Sequence, residues 1–232
     1  MSHDAPEAIV PLAPLERRIL GVLVEKQKTS KSPDAYPMTL NSLTTGCNQK
    51  SNRDPVTELN DDDIEEGLGR LQRVGLVSKL VGGRTDRYRH LLYEAWRVQK
   101  VELAVLAELL LRGPQTEGDL RGRASRMDDI PDLDALKTSL RALTERKMVV
   151  YVTAADRRGA MLTHGFHSPA ELDAARARFA HGAPEPESRA APVAEAGPKL
   201  ADAFEQIRQL KDEVNHLREQ LLALRTELGH RG

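Results

Sequence analysis

Hydrophobic residues first fall into a helical rhythm at Leu15, Ile19, Val22 and Leu23, with Arg17, Arg18, Glu25 and Lys26 mostly on the opposite side. That spacing predicts an amphipathic helix over residues 15–27 with one stripe for the core. A loop rich in Ser, Lys and Pro follows, and Thr39 is placed to cap a short helix carrying Leu40 and Leu43 and ending near Gly46. A polar stretch then runs from Cys47 to Pro55. Asn60 caps a third helix whose first turn holds Asp61, Asp62 and Asp63. Its stripe is Ile64, Leu68, Leu71 and Val74, closed by Gly75. Residues 76–81 and 87–92 read as two short strands around a Gly-rich turn.

The order then recurs. Val101 to Leu111 is a strongly apolar helix, Gly113 to Thr116 breaks it, and Glu117 to Ala124 makes a short helix around Leu120. Asp132 to Arg146 carries the stripe Leu133, Leu136, Leu140 and Leu143, and Met148–Val152 and Ala160–His164 flank a polar turn. The closest internal match pairs Leu68-Gly69-Arg70-Leu71 with Leu140-Arg141-Ala142-Leu143. Three helices followed by a hairpin is the winged-helix order. The predicted fold is therefore mainly α with short β-hairpins: two tandem winged-helix domains, residues 15–92 and 98–167, plus a C-terminal coiled-coil helix. Trp96, between the two, reads as a buried plug.

Outside the repeats, residues 1–14 read as an N-terminal tail. Ser168-Pro169-Ala170-Glu171 is a capping box that starts a short helix over 168–181. Residues 182–198, rich in Ala, Pro and Glu, read as a flexible linker. In 199–232, Leu200, Ile207, Val214, Leu221 and Leu228 recur every seven residues, with Ala203, Leu210, Leu217 and Leu224 three positions after the first four. That a/d seam predicts a parallel homodimer held by Ile207, Leu210, Val214, Leu217, Leu221 and Leu224. A single helix folded back on its own domain is the competing reading.

Composition narrows the function. The 232 residues carry a formal net charge of -1, with 30% charged and 3% aromatic residues, so any basic surface is local and stacking platforms are scarce. The single cysteine, Cys47, cannot form an internal disulfide, which fits a reducing compartment. Residues 1–14 lack a basic start and an apolar core, so no signal peptide is expected. No apolar run approaches the roughly 20 residues of a membrane helix. A cytoplasmic protein with no membrane contact is expected. Phosphate loops, nucleophile elbows and zinc-protease motifs are absent, and the seven histidines are scattered. No catalytic set, cofactor or metal is expected, and the chain reads as a non-enzymatic binding protein.

Two stretches are candidate contact surfaces. In the polar run, Lys50 and Arg53 offer charge and Asn52 a hydrogen-bonding amide, although the same residues also suit plain capping of helix ends. In the first wing, Arg84, Arg87 and Arg89 suit a nucleic-acid backbone or a solvated face. The third helix opposes DNA, because its reading turns hold Asp61, Asp62, Asp63, Glu65 and Glu66. The expected function is a DNA-associated or regulatory dimer, and the alternative is a protein–protein scaffold whose winged helices dock other proteins.

Leu15 through Gln27, Tyr36-Pro37-Met38-Thr39-Leu40-Asn41-Ser42-Leu43, Cys47 through Val56, Tyr88-Arg89-His90 and Leu110 through Thr116 together resemble the signature of the bacterial YceH family. The resemblance covers residues 15–166 and implies tandem winged-helix domains. It implies no activity, because that family is uncharacterised.

Overall fold

Helix α1 (Pro14–Thr29) begins with proline at its first position, and Glu16 accepts the N–H of Ala13 at 2.7 Å. Thr39 and Asn60 cap α2 (Leu40–Cys47) and α3 (Asp61–Arg73) through their side chains. Asp63 completes the α3 cap by accepting the N–H of Asn60. The chain then turns through Gly75 at φ +72°, and the N–H of Leu76 closes onto the carbonyl of Leu71. Strands β1 (Val77–Leu80) and β2 (Arg87–His90) pair antiparallel, Val77 opposite His90 and Leu80 opposite Arg87. Met38 bridges to Tyr88 on the far side of β2.

After the short α4 (Leu92–Trp96) come α5 (Lys100–Arg112), β3 (Gln115–Thr116), α6 (Glu117–Ala124), α7 (Leu133–Glu145), β4 (Val149–Tyr151), β5 (Met161–His164) and α8 (Pro169–Ala180). The second sheet has the order β3-β5-β4. The computed structural model describes residues 9–83, 85–157 and 159–180, which fall within one compact unit, Met1–His181. Arg84, the linker 182–198 and the heptad segment with Ile207, Leu210, Val214, Leu217, Leu221 and Leu224 lie outside the described residues.

Equivalent positions recur in the two halves. Thr39 and Thr116 cap the second helices, Asn60 and Asp132 the third. Gly75 and Lys147 occupy the same left-handed position after the third helices, at φ +72° and +58°. His90 and His164 end the last strands, each Nδ1 accepting the N–H two residues on at 3.3 Å.

The core is continuous, because α1 packs along α5. Gly21 permits that approach: a Cβ there would lie 2.7 Å from Leu111 Cγ and 3.3 Å from the Ala107 carbonyl oxygen. One expectation is overturned by this packing. Arg17, Arg18 and Glu25, placed by periodicity on a solvated side of α1, are buried. The helix is enclosed on both sides, the second by α5 and the segments around it. Val74 and Leu133, counted in apolar stripes, are exposed. Val74 is the residue after the last turn of α3, and Leu133 is the first residue of α7, so neither shares its helix's inner face. Three elements escaped the sequence reading, namely a 3-10 turn at Pro33–Ala35, α4 and the two-residue β3 inside the Gly113–Thr116 break. Trp96 is buried and stacks on Phe166 at 4.5 Å between ring centroids. No helix among the described residues is long and apolar enough to cross a membrane.

Candidate functional site

The polar run after α2 does not spread over the surface; it folds inward. Arg53 has a fully buried side chain that meets Glu25 of α1 at 2.5 Å. Its Nε donates to the Gly46 carbonyl at 3.0 Å, and its Nη2 also donates to Gln49. Glu25 is shared with Arg126, which lies beyond α6, at 2.5 Å. Arg126 reaches on to Glu108 of α5 at 3.2 Å, and Glu108 lies 2.9 Å from Arg112 Nε. Arg112 returns to the polar run by donating to the Asn52 side chain. The N–H of Asp54 donates to the Leu111 carbonyl, and Arg18 donates to the Pro55 carbonyl.

This closed relay joins the two repeats through buried charge. Burial alone would raise the carboxyl pKa of Glu25, but Arg53 and Arg126 outweigh it and the net shift is downward. For Arg18, burial first and the neighbouring Arg53 second lower the pKa. Cys47 sits buried beside the relay, and burial pushes its thiol up to about 12. A thiol held protonated is a poor nucleophile.

The expected contact residues therefore separate. Arg53 is not a surface residue, which corrects its assignment, because its guanidinium is consumed by Glu25, Gln49 and backbone carbonyls. Asn52 is half-buried and held by Arg112. Arg87 is half-buried and donates to the carbonyls of Asp34 and Pro37 at 2.7 and 2.8 Å. Lys50 and Arg89 remain exposed. Glu25, Glu108, Arg112 and Arg126 were missed. A signal existed for Glu108, since a carboxylate within Val101–Leu111 has no solvated face to occupy and needs a buried partner.

The acidic start of α3 faces solvent, but its carboxylates are not equivalent. Asp63 belongs to the cap, Asp61 accepts from Thr44, and Glu66 pairs with Arg70 at 2.5 Å. Asp62 and Glu65 are exposed and make no ion pair among the described residues.

A third group surrounds the last strand. Arg17 donates to His167 Nδ1 at 2.6 Å and pairs with Glu171 of α8. The His167 ring stacks on His164 at 4.0 Å, and its Nε2 lies 3.2 Å from the Thr163 hydroxyl. An arginine always donates, so His167 Nδ1 accepts and the ring is neutral. Burial first and Arg17 second lower the His167 pKa to about 4. Burial lowers His90 to about 4 as well, and its Nε2 lies 2.8 Å from Gln27. His90 and His164 accept at strand ends, and His167 accepts from Arg17 of α1.

Comparison with known proteins gives a family but no activity. The profile of a family described as "Protein of unknown function, DUF480" matches residues 12–179. A UPF0502 protein of Rhodopirellula baltica is 47% identical over 162 residues, covering 69% of this chain and 67% of the relative. One from Geotalea daltonii is 50% identical over 139 residues, covering 59% of this chain and 62% of the relative, so the match spans less than two thirds of that protein. One from Geobacter metallireducens is 41% identical over 207 residues, covering 89% of this chain and 86% of the relative.

Proposed function

This chain belongs to the DUF480 family of proteins of unknown function, and from that premise we propose that it is a non-enzymatic docking protein. In this reading the two repeats are winged-helix units, as the resemblance to the YceH family implies. They are joined rigidly by the buried relay, and they engage a protein partner rather than DNA. The observation that carries the reading is the exposed acidic start of α3, together with the inward turn of two of the expected contact cations. Arg53 is buried and Arg87 is spent on backbone carbonyls, while Asp62 and Glu65 stay exposed. A duplex presents about one negative charge per 1.7 Å of axis, so it needs cations where this surface offers carboxylates. A basic protein surface meets those carboxylates favourably. Dimerisation through the heptad segment and residence in the cytoplasm remain part of the proposal.

The test is a salt titration with random duplex DNA. The wild-type protein is expected to bind negligibly at physiological salt, with a flat dependence. Asp62→Asn with Glu65→Gln, which spares the cap, is expected to raise that residual binding by removing repulsion. A steep salt slope for the wild type, lost on Lys50→Ala and Arg89→Ala, would return the function to DNA.

A further inference from the structure

We propose that the outer edge of β1 receives an extended, acidic and apolar segment of a protein partner as an added strand. The inference goes beyond docking at α3 and does not depend on it.

The backbone defines the edge. The N–H of Leu91 donates to Leu76, and Tyr88 exchanges both its backbone bonds with Met38 on the far side of β2. Lys79 is opposite Tyr88. Tyr88 and Lys79 therefore form a non-bonded pair, and the Lys79 N–H and carbonyl point away from β2. Among the described residues nothing accepts that N–H or donates to that carbonyl. An unpaired edge of this kind is a template for another strand.

The side chains around the edge define the guest. Leu80, the last residue of β1, is 39% exposed and Val81, which follows it, 78%, although large apolar residues are more often buried. They form one wall of a surface cavity of about 300 Å³, completed by Gly83, Thr85 and Arg87. Arg89 is exposed beside Arg87 on the same face of β2, and its side chain has no partner among the described residues. Lys79 lies on the edge itself, paired with Asp86 at 2.6 Å. Pairing β1 with β1 of another copy of this chain about Lys79 would set the two Lys79 side chains opposite each other, and like charges across a ladder are unfavourable. Lys79 and Leu80 point to opposite faces of β1, so a partner strand that alternates apolar and acidic residues sets its apolar side chains beside Leu80 and its acidic ones beside Lys79.

The experiment probes arrayed octapeptides that alternate Glu or Asp with Val or Ile, beside counterparts carrying Lys, with the full-length protein. The acidic set is expected to retain the protein at least tenfold better than the basic set. Lys79→Pro removes only the outward N–H, because that position does not donate to β2. It is expected to reduce retention at least tenfold beyond Lys79→Ala. Leu80→Glu is expected to abolish retention. Peptides N-methylated at alternate amides, made in both registers, are expected to fail in one register only, which keeps the test independent of how Lys79→Pro folds. Asp62→Asn with Glu65→Gln is expected to leave retention unchanged, so failure here and failure of the α3 reading are separable. Equal retention of acidic and basic peptides, no retention of either, insensitivity to Leu80→Glu, or tolerance of N-methylation in both registers would each overturn the proposal. Displacement of the acidic peptides by random duplex DNA, lost on Arg89→Ala, would make the surface a nucleic-acid site instead.

Discussion

Lys147 holds a left-handed backbone, φ +58°, at the position where the first repeat has Gly75. A side chain there costs roughly 1–2 kcal/mol, part of which glycine gives back through the entropy of the unfolded chain. Lys147→Gly is expected to stabilise the protein by about 0.5–1 kcal/mol. Urea denaturation gives the value, and a loss of stability would contradict it. Cys47 makes a second expectation at this scale. Its thiol is buried and pushed up to about 12, so alkylation in native buffer is expected to proceed no faster than the protein opens. Prompt labelling of the folded protein by a thiol reagent would show that the site is open.

Between elements, the relay through Glu25, Arg53, Arg126 and Glu108 decides the geometry. A buried pair adds little over apolar packing, but breaking one leaves an uncompensated charge. Glu25→Gln strands the fully buried Arg53 and is expected to cost about 3–5 kcal/mol, whereas Lys50→Ala on the exposed part of the same run is expected to stay within about 0.5 kcal/mol. Denaturant midpoints of the two variants test the contrast. Comparable small losses would mean that the relay is solvated. The caps at Thr39 and Asn60, the stripe Ile64, Leu68 and Leu71 of α3 and the β1–β2 hairpin were legible in the sequence, because each depends on residues within one or two turns. The inward fold of the Cys47–Pro55 run was not legible, since polar residues that cap a loop and polar residues that bind a buried carboxylate look alike until the carboxylate is in place.

Across the whole molecule, the histidines set the response to acid. His90, His164 and His167 all have pKa values lowered, chiefly by burial, to about 4 for His90 and His167. The unfolded chain protonates them near 6.5 while the folded chain does not. Below about pH 6.5 the unfolded state binds more protons, so stability falls as pH falls and keeps falling until the folded pKa values are reached. Three such groups give a slope of up to about 4 kcal/mol per pH unit. Glu25 acts in a lower range. Its folded pKa is depressed, so its contribution is present above the unfolded carboxylate value and is lost as pH falls further. Urea midpoints between pH 7 and 5 are expected to drop steeply, and a flat profile would show that these imidazoles are solvated.

Local pattern in the chain was enough to place most of the helices and both hairpins to within a few residues, and to show the same order occurring twice, because caps, periodicity and turn residues act over a few positions. It also contained the acidic character of α3. Which charges reach solvent was settled by long-range packing. Glu25 meets Arg53 from 28 positions away, and Arg17 meets His167 from 150. The polar side of α1 resembles a solvated face in periodicity, yet α5 and its neighbours cover it. Burying a charge is favourable only when a distant partner arrives with it, and local pattern carries no record of that partner.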